Sequence, residues 1–325
     1  MYGYKEIVEI LIREKANIAA SAEKKFTPLH LACQYGHKEV VEILVGEKAN
    51  IDALIENKCT PLHLACENGH REVVEILVRE KANIDALAEK KFTPLHLACK
   101  NGHKEVAEIL IRENANIDAL IENKCTPLHL ACQNGHKEVV KMFVRGNANI
   151  EALAENKFTP LHVACQNGHK EVVKILIRGN ANIDALTENK STPLHVACQD
   201  GHKEVAEILI RENANIDALT ENKFTPLHVA CKNGHKEVVK ILIRGNANIH
   251  ALDENKCTPL HLACMCGHKE VVEILIRENA NIAALAEHNC TPLHLAYLIG
   301  YKEIVEILID HFRQKCLSAL RLSDN

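Results

Sequence analysis

Fourteen cysteines and twenty histidines are the residues of this chain whose types could do chemistry. Thiols and imidazoles can hold a metal, run a redox couple or move protons. Eight of the cysteines (Cys33, Cys66, Cys99, Cys132, Cys165, Cys198, Cys231, Cys264) recur in one small apolar slot, three residues after a histidine. On helices stacked roughly 8–10 Å apart, thiols in that slot are too distant for disulfides, whose Cα atoms lie within about 7 Å. They read as core thiols of a reducing compartment. The most metal-like string is His261-Leu-Ala-Cys264-Met-Cys266-Gly-His268, but only Cys266 is new among otherwise recurring letters. No metal and no cofactor is expected. Nine histidines end a Thr-Pro-Leu-His string and eight follow a glycine, leaving only His250, His288 and His311 outside. The recurring ones are expected to hydrogen-bond backbone within and between segments, as buried polar groups must. Acid–base catalysis needs one distinctive pocket with a tuned residue, and near-identical sites offer none. With no phosphate loop, nucleophile elbow or zinc-protease string present, the chain is expected not to be an enzyme.

The elements that must place these residues recur with one period. Thr-Pro-Leu-His starts at Thr27, Thr60, Thr93, Thr126, Thr159, Thr192, Thr225, Thr258 and Thr291, always 33 residues apart. All nine prolines sit in those strings, ten of the 14 glycines precede the next His or Tyr, Gly146, Gly179 and Gly245 share one later slot, and Gly46 stands one position before it. No Pro or Gly remains to build a linker, so one continuous array is expected over residues 1–325. Its frame is a half repeat at 1–21, then repeats at 22–54, 55–87, 88–120, 121–153, 154–186, 187–219, 220–252 and 253–285. A capping repeat at 286–318 and a tail at 319–325 complete it. Hydrophobic content of 47% and charged content of 25% fit a globular chain. No run of apolar residues is long enough to span a membrane. The opening MYGYKEIVEI carries charge and helical periodicity, unlike a secretory signal. A net charge of −4 with interspersed signs argues against nucleic acid. The expectation is a cytoplasmic monomer with no membrane insertion.

Residues 55–87 show how one unit works. Thr60 is placed to cap a helix whose first position Pro61 suits, since no backbone donor is needed there. Leu62, Ala65 and Cys66 form a narrow apolar face, and Asn68-Gly69 stops the helix. A second helix starts near His70 and carries Val73, Val74, Ile76, Leu77 and Val78, apolar nearly all round. Only neighbouring units can cover it. A turn-like polar stretch then leads into the next unit, so none stands alone.

These residues, TPLHLAC, GHKEVVEILI and NANIDA, resemble the ankyrin repeat over nearly the whole chain. The resemblance implies an all-α solenoid of helix-turn-helix units with β-hairpin-like connections: nine full repeats after an N-terminal half repeat. It also implies an interaction scaffold that binds another protein on a concave side built from hairpin tips and the first helices. There are departures. Where the family has Gly two residues before Thr, this chain has Lys25, Lys58, Lys91, Lys124, Lys157, Lys190, Lys223, Lys256 and Asn289. A left-handed Lys costs on the order of 1 kcal/mol, so the turn is expected to re-form with the preceding Asn in the strained position. The family's Gly after the second helix becomes Lys15, Lys48 and Lys81, then Asn from Asn114 onward. Asn tolerates left-handed geometry better, which makes the first three units the less stable end.

The hairpin supplies the candidate site. Leu54, Leu87, Leu120, Leu153, Leu186, Leu219, Leu252 and Leu285 hold a slot where the family usually has a polar residue. Five residues on, Phe26, Phe92, Phe158 and Phe224 alternate with Cys or Ser, a two-unit period that implies growth by copying 66-residue blocks. Leu and Phe on one edge would make an apolar stripe; the alternative is leucines packed on the next hairpin and never exposed. The expected partner-binding residues are Leu120, Glu122, Cys125, Gln133, Asn134, Leu153, Phe158, Gln166, Asn167, Leu186, Gln199 and Asp200. A second functional reading is a mechanical spacer, or part of a longer array, with no private ligand.

The two ends carry one shared string, GYKEIVEILI at 3–12 and 300–309. At the C-terminal end Tyr297 replaces the core Cys and the second helix is expected to run on as a lid. At the N-terminal end Ile7, Ile10 and Leu11 have only half their cover, because no first helix precedes them. Opposite ends expose opposite faces, so shared descent of a terminal-type unit explains their likeness better than capping does. The expectation that follows is a piece of a longer array, or a gene begun at an internal Met.

Overall fold

The computed structural model describes residues 5–146 and 148–323, those from 316 on as backbone only. Tyr4 and Asn147 lie outside the described residues. Nineteen α-helices and no strand occur among the described residues, and none of the helices is long and apolar enough to cross a membrane. The chain divides into two compact units, Met1–Glu155 with Ile175–Ala181, and Asn156–Lys174 with Asn182–Asn325. Each is built from the same helix pair.

In the first unit a lone helix, Lys5–Arg13, precedes the pairs Pro28–Gln34/Lys38–Gly46, Pro61–Asn68/Arg71–Arg79, Pro94–Lys100/Lys104–Arg112 and Pro127–Gln133/Lys137–Arg145. In the second, the pairs Pro193–Gln199/Lys203–Arg211, Pro226–Lys232/Lys236–Arg244 and Pro259–Met265/Lys269–Arg277 lead to Pro292–Ile299 and the 22-residue helix Lys302–Ser323. That last helix is the lengthened lid the sequence implied. Helices Pro160–Gln166 and Lys170–Arg178 complete the series.

Local chemistry starts each first helix. Thr60 Oγ1 accepts the His63 N–H, while His63 Nδ1 accepts the Thr60 N–H at 3.1 Å, a capping box closed by histidine. Pro61 occupies the first helical position, and Gly69 ends the helix in the left-handed conformation at φ 75°. The second helix buries Val73, Val74, Ile76 and Leu77 against both neighbours, as its all-round apolar sequence required. Cys33, Cys66, Cys99 and Cys132 in one unit, and Cys198, Cys231 and Cys264 in the other, are fully buried among these helices. Burial pushes their thiols up, to about 12 at Cys264, so they stay protonated and packed.

The histidines do structural work. With Nδ1 taking the Thr N–H, the ring proton sits on Nε2, which donates to a carbonyl of the next hairpin. His63 reaches the Phe92 carbonyl (3.1 Å), His96 that of Cys125 (3.3 Å), His195 that of Phe224 (3.0 Å) and His261 that of Cys290 (3.1 Å). A neutral ring is therefore used at both nitrogens, inside the core.

One expectation about the turns is corrected. Every lysine in the Gly slot keeps a positive φ, from Lys25 at 64° to Lys256 at 57°, and Asn289 follows at 57°. The preceding residue does not take the strain over. It joins the slot residue in the left-handed region only at Lys24, Lys90, Asn156 and His288, in the turns that open with Ala. The five-residue closure fixes the conformation: Lys58 N–H donates to the Ile55 carbonyl (2.9 Å) and Ile55 N–H to that of Cys59 (3.1 Å). Asn57 instead uses its Oδ1 to accept the Cys59 N–H at 3.1 Å. Lys58→Gly and Lys81→Gly are each expected to stabilise the chain by about 1 kcal/mol in urea unfolding. Asn213→Gly should change it less, and unshifted midpoints for the lysine variants would show that the turns carry no such strain.

Candidate protein-binding face

Consecutive hairpins are tied tip to tip. Glu56 N–H donates to the Lys24 carbonyl (3.2 Å), Glu89 to Asn57 (2.9 Å) and Glu122 to Lys90 (3.1 Å) in the first unit. In the second, Glu188 donates to Asn156 (2.8 Å) and Glu221 to Asn189 (2.9 Å). A second row runs beside it: Asp52 Oδ1 accepts the Asn83 N–H, Asp85 that of Asn116 (3.0 Å each), and Asp184 that of Asn215 (2.9 Å). The NANID string is thus a repeat-to-repeat clasp, a role its sequence did not announce.

These ties hold the leucines outward. Leu54, Leu87, Leu120 and Leu153 in one unit, and Leu186, Leu219, Leu252 and Leu285 in the other, are each 50–55% exposed. They are neither free nor packed away, so the fully packed alternative does not hold. The Phe row behaves differently. Phe26 and Phe92 pack on Ile55, Cys59, Leu64 and Ala88, and Phe92 meets the His96 ring edge-on at 5.9 Å. Phe158 is half-buried, with its ring 5.4 Å from that of His162. Leu and Phe therefore do not form one stripe.

The twelve expected residues fall into two sets. Leu120, Glu122, Gln133, Asn134 and Leu153 are exposed in the first unit, and Cys125 there is half-buried. Leu186, Gln166, Asn167, Gln199 and Asp200 are exposed in the second. Asn134 and Asn167 are partly committed, since their amide nitrogens donate to the Leu130 (2.9 Å) and Val163 (2.8 Å) carbonyls. The Cys125 thiol is raised by burial and then by the nearby Glu155 carboxylate, which makes it a poor nucleophile. Cys59 and Cys257 are pushed up to about 11 in the same way.

In the first unit the hairpin and first-helix face is indented. A cleft of about 510 Å³ has Phe92, Ile121 and Leu130 for its apolar lining, with Lys90, Lys100, Glu122, Asn123, Gln133 and Glu155 around them. Two of the expected residues, Glu122 and Gln133, are in that wall. Sequence reading missed Leu130 and Lys100, and named Phe92 only as part of an apolar edge. Lys100 Nζ lies 5.9 Å from the Phe92 ring centre, and Lys232 lies 5.4 Å from that of Phe224 in the second unit. The signal was a Phe and a Lys eight apart, legible only once the hairpin is known to fold over the helix end. In the second unit Met265, Leu298 and Ile299 are exposed where the middle repeats carry Gln, Asn or Asp. Around His261-Cys264-Cys266-His268 no centre forms: His261 Nε2 is bonded to Cys290 and His268 Nε2 to the Lys232 carbonyl (2.9 Å). Among the described residues no three His, Cys, Asp or Glu side chains are grouped to hold a metal ion.

The family model described as ankyrin repeats (three copies) matches residues 1–56, 48–121, 80–154, 117–187, 161–253 and 227–318. No curated protein matches the chain.

Proposed function

We propose that this chain, which belongs to the ankyrin-repeat family, is a cytoplasmic scaffold that binds another protein through the hairpin and first-helix face of its repeats. Ankyrin repeats are generally protein–protein interaction modules. The observation that carries the reading here is the half-exposed leucine of each hairpin from Leu54 to Leu285: an apolar side chain, flanked by the tip-to-tip bonds, in a slot open to solvent. Fixed apolar groups ringed by Glu, Gln and Asn are what a binding surface needs, since little ordering entropy remains to be lost. The proposed contacts are Leu120, Glu122, Cys125, Gln133, Asn134 and Leu153 in one unit, and Phe158, Gln166, Asn167, Leu186, Gln199 and Asp200 in the other. The proposed repeat frame is the 33-residue one beginning at residue 22.

The test is affinity capture from cytosolic lysate with this chain and with two variants, Leu120→Glu/Leu153→Glu and Leu186→Glu/Leu219→Glu. Burying the exposed half of each leucine is worth about 1 kcal/mol, so a double variant loses roughly thirtyfold in affinity. A protein retained by the parent and released by a variant of unchanged circular dichroism supports the scaffold. Identical capture by all three, or none, favours a spacer. The double ladder of hairpin bonds gives that second reading its footing, because it stiffens consecutive repeats whether or not anything binds them.

A further inference from the structure

We propose that the Asn-Gly pairs closing the first helices are latent self-modification sites, and that the pairs at Asn68, Asn101, Asn167 and Asn233 are each locked by the histidine of the following repeat. Asn68-Gly69, Asn101-Gly102, Asn134-Gly135, Asn167-Gly168 and Asn233-Gly234 all place an exposed Asn before a residue with no side chain. In such a pair the Gly nitrogen can attack the Asn amide carbon. A bond forms from that nitrogen to Cγ, the nitrogen loses its proton, the Cγ–Nδ2 bond breaks and ammonia leaves. The product is a five-membered succinimide, which water opens to Asp or to isoaspartate.

Three features oppose that ring. A near-planar ring requires the Gly nitrogen to eclipse the Asn Cβ. At Asn101, Asn167 and Asn233 ψ is 0°, 3° and −1°, which turns Cβ a third of a turn away. The leaving group is occupied: the amide nitrogens of Asn68, Asn101 and Asn233 donate to the Leu64, Leu97 and Val229 carbonyls at 2.8–2.9 Å. The third feature comes from the next repeat. His103 Nε2–H donates to the Glu67 carbonyl (3.0 Å), His136 to Lys100 (2.9 Å), His202 to Gln166 (2.8 Å) and His268 to Lys232 (2.9 Å). Each ring holds the residue before the Asn and lies over the Gly after it, so closely that a Cβ on Gly168 would be 2.5 Å from His202 Nδ1. Swinging the Asn ψ toward ring closure means prising the turn off that imidazole.

Asp200-Gly201 shows what one product would look like. It occupies the same slot at φ −96° and ψ 3°, with His235 bonded to the Gln199 carbonyl at 2.9 Å. The Asp product thus fits the fold. Isoaspartate adds a methylene to the main chain and does not. A repeat pair that opens is marked permanently, repeat by repeat, and at Asn134 and Asn167 the mark adds a negative charge to the proposed binding face.

The experiment incubates the full chain warm at mildly alkaline pH, in buffer and in urea, and quantifies Asp and isoaspartate at each site by mass spectrometry. Conversion in buffer is expected to be roughly tenfold or more slower than in urea, a protection of ~1.4 kcal/mol. In His202→Ala, checked by circular dichroism, Asn167 should accelerate while Asn68 and Asn101 stay slow. Equal rates in buffer and urea for the parent chain would overturn the lock. So would a folded His202→Ala chain in which Asn167 stays slow, or in which every site speeds up alike.

Discussion

Taken from neutral pH toward acid, the chain is expected to lose its helical circular dichroism in a steep step that begins below pH 6.5 and ends near pH 4. Burial holds the Thr-Pro-Leu-His rings below the ordinary imidazole value of 6.5, to about 4 at His96, His162 and His195, and in the same direction at His30, His63, His228 and His261. The carbonyls that accept from Nε2 pull the other way but do not offset it. A proton added to Nδ1 would face the Thr N–H that now donates to it, at 3.3 Å for His96. Above pH 6.5 folded and unfolded imidazoles are both neutral and pH has no effect through them. Below it the unfolded chain takes up protons that the folded one refuses, so stability falls until the folded value near 4 is passed. Each ring held at about 4 withholds roughly 3 kcal/mol once its unfolded counterpart is charged. Three such rings come to about 10 kcal/mol, comparable with the whole stability of a domain. Circular dichroism against pH, with the imidazole protons followed by NMR, decides the matter. Full helicity at pH 4 with those rings charged would end the idea.

Gly69→Ala is expected to cost roughly 3 kcal/mol, against 1–2 for Gly300→Ala. Both glycines have positive φ, 75° and 94°. They differ in what a side chain would meet: nothing within 4 Å at Gly300, but His103 Nδ1 at 2.4 Å and Cε1 at 2.6 Å at Gly69. The backbone penalty is shared, so the difference reads the displaced imidazole and its lost bond to the Glu67 carbonyl. Urea midpoints of the two variants and the parent would measure it. Equal costs would mean that the ring moves aside freely and that the Gly-His pairs matter only for the turn. The terminal repeat already carries a substitute: Tyr301 stands where the histidine does, and its ring occupies the space over Gly267.

The period, the Thr cap, the Pro at the first helical position, the Asn-Gly stop and the two helices of each unit were legible because each rests on neighbours in sequence. Thr60, Pro61 and His63 need only three residues to make their capping box. The resemblance to ankyrin repeats rested on those letters and is shown by the family match. Histidine bonds to backbone between repeats were expected, but not which residues 29 to 36 positions apart they join, as in His63–Phe92 and His103–Glu67, and the Asp52–Asn83 clasp was not read at all. The left-handed lysines were misjudged for a related reason. Local propensity argues against Lys58 at φ 61°, but the hairpin closure around it is set by the helices on either side.

The candidate face divides in the same way. Its polar members, Glu122, Gln133, Asn134, Gln166 and Asn167, could be named from their slots, because a period fixes which letters face out. Whether Leu120 was covered could not, since burial depends on how far the next hairpin reaches, and the same holds for Phe92 and Lys100 at the cleft. The sequence by itself determined the repeat, its helices and its caps, through short-range sterics and hydrogen bonds. Only the tertiary structure decided which apolar side chains are left in water, because that is a property of the gap between one repeat and the next.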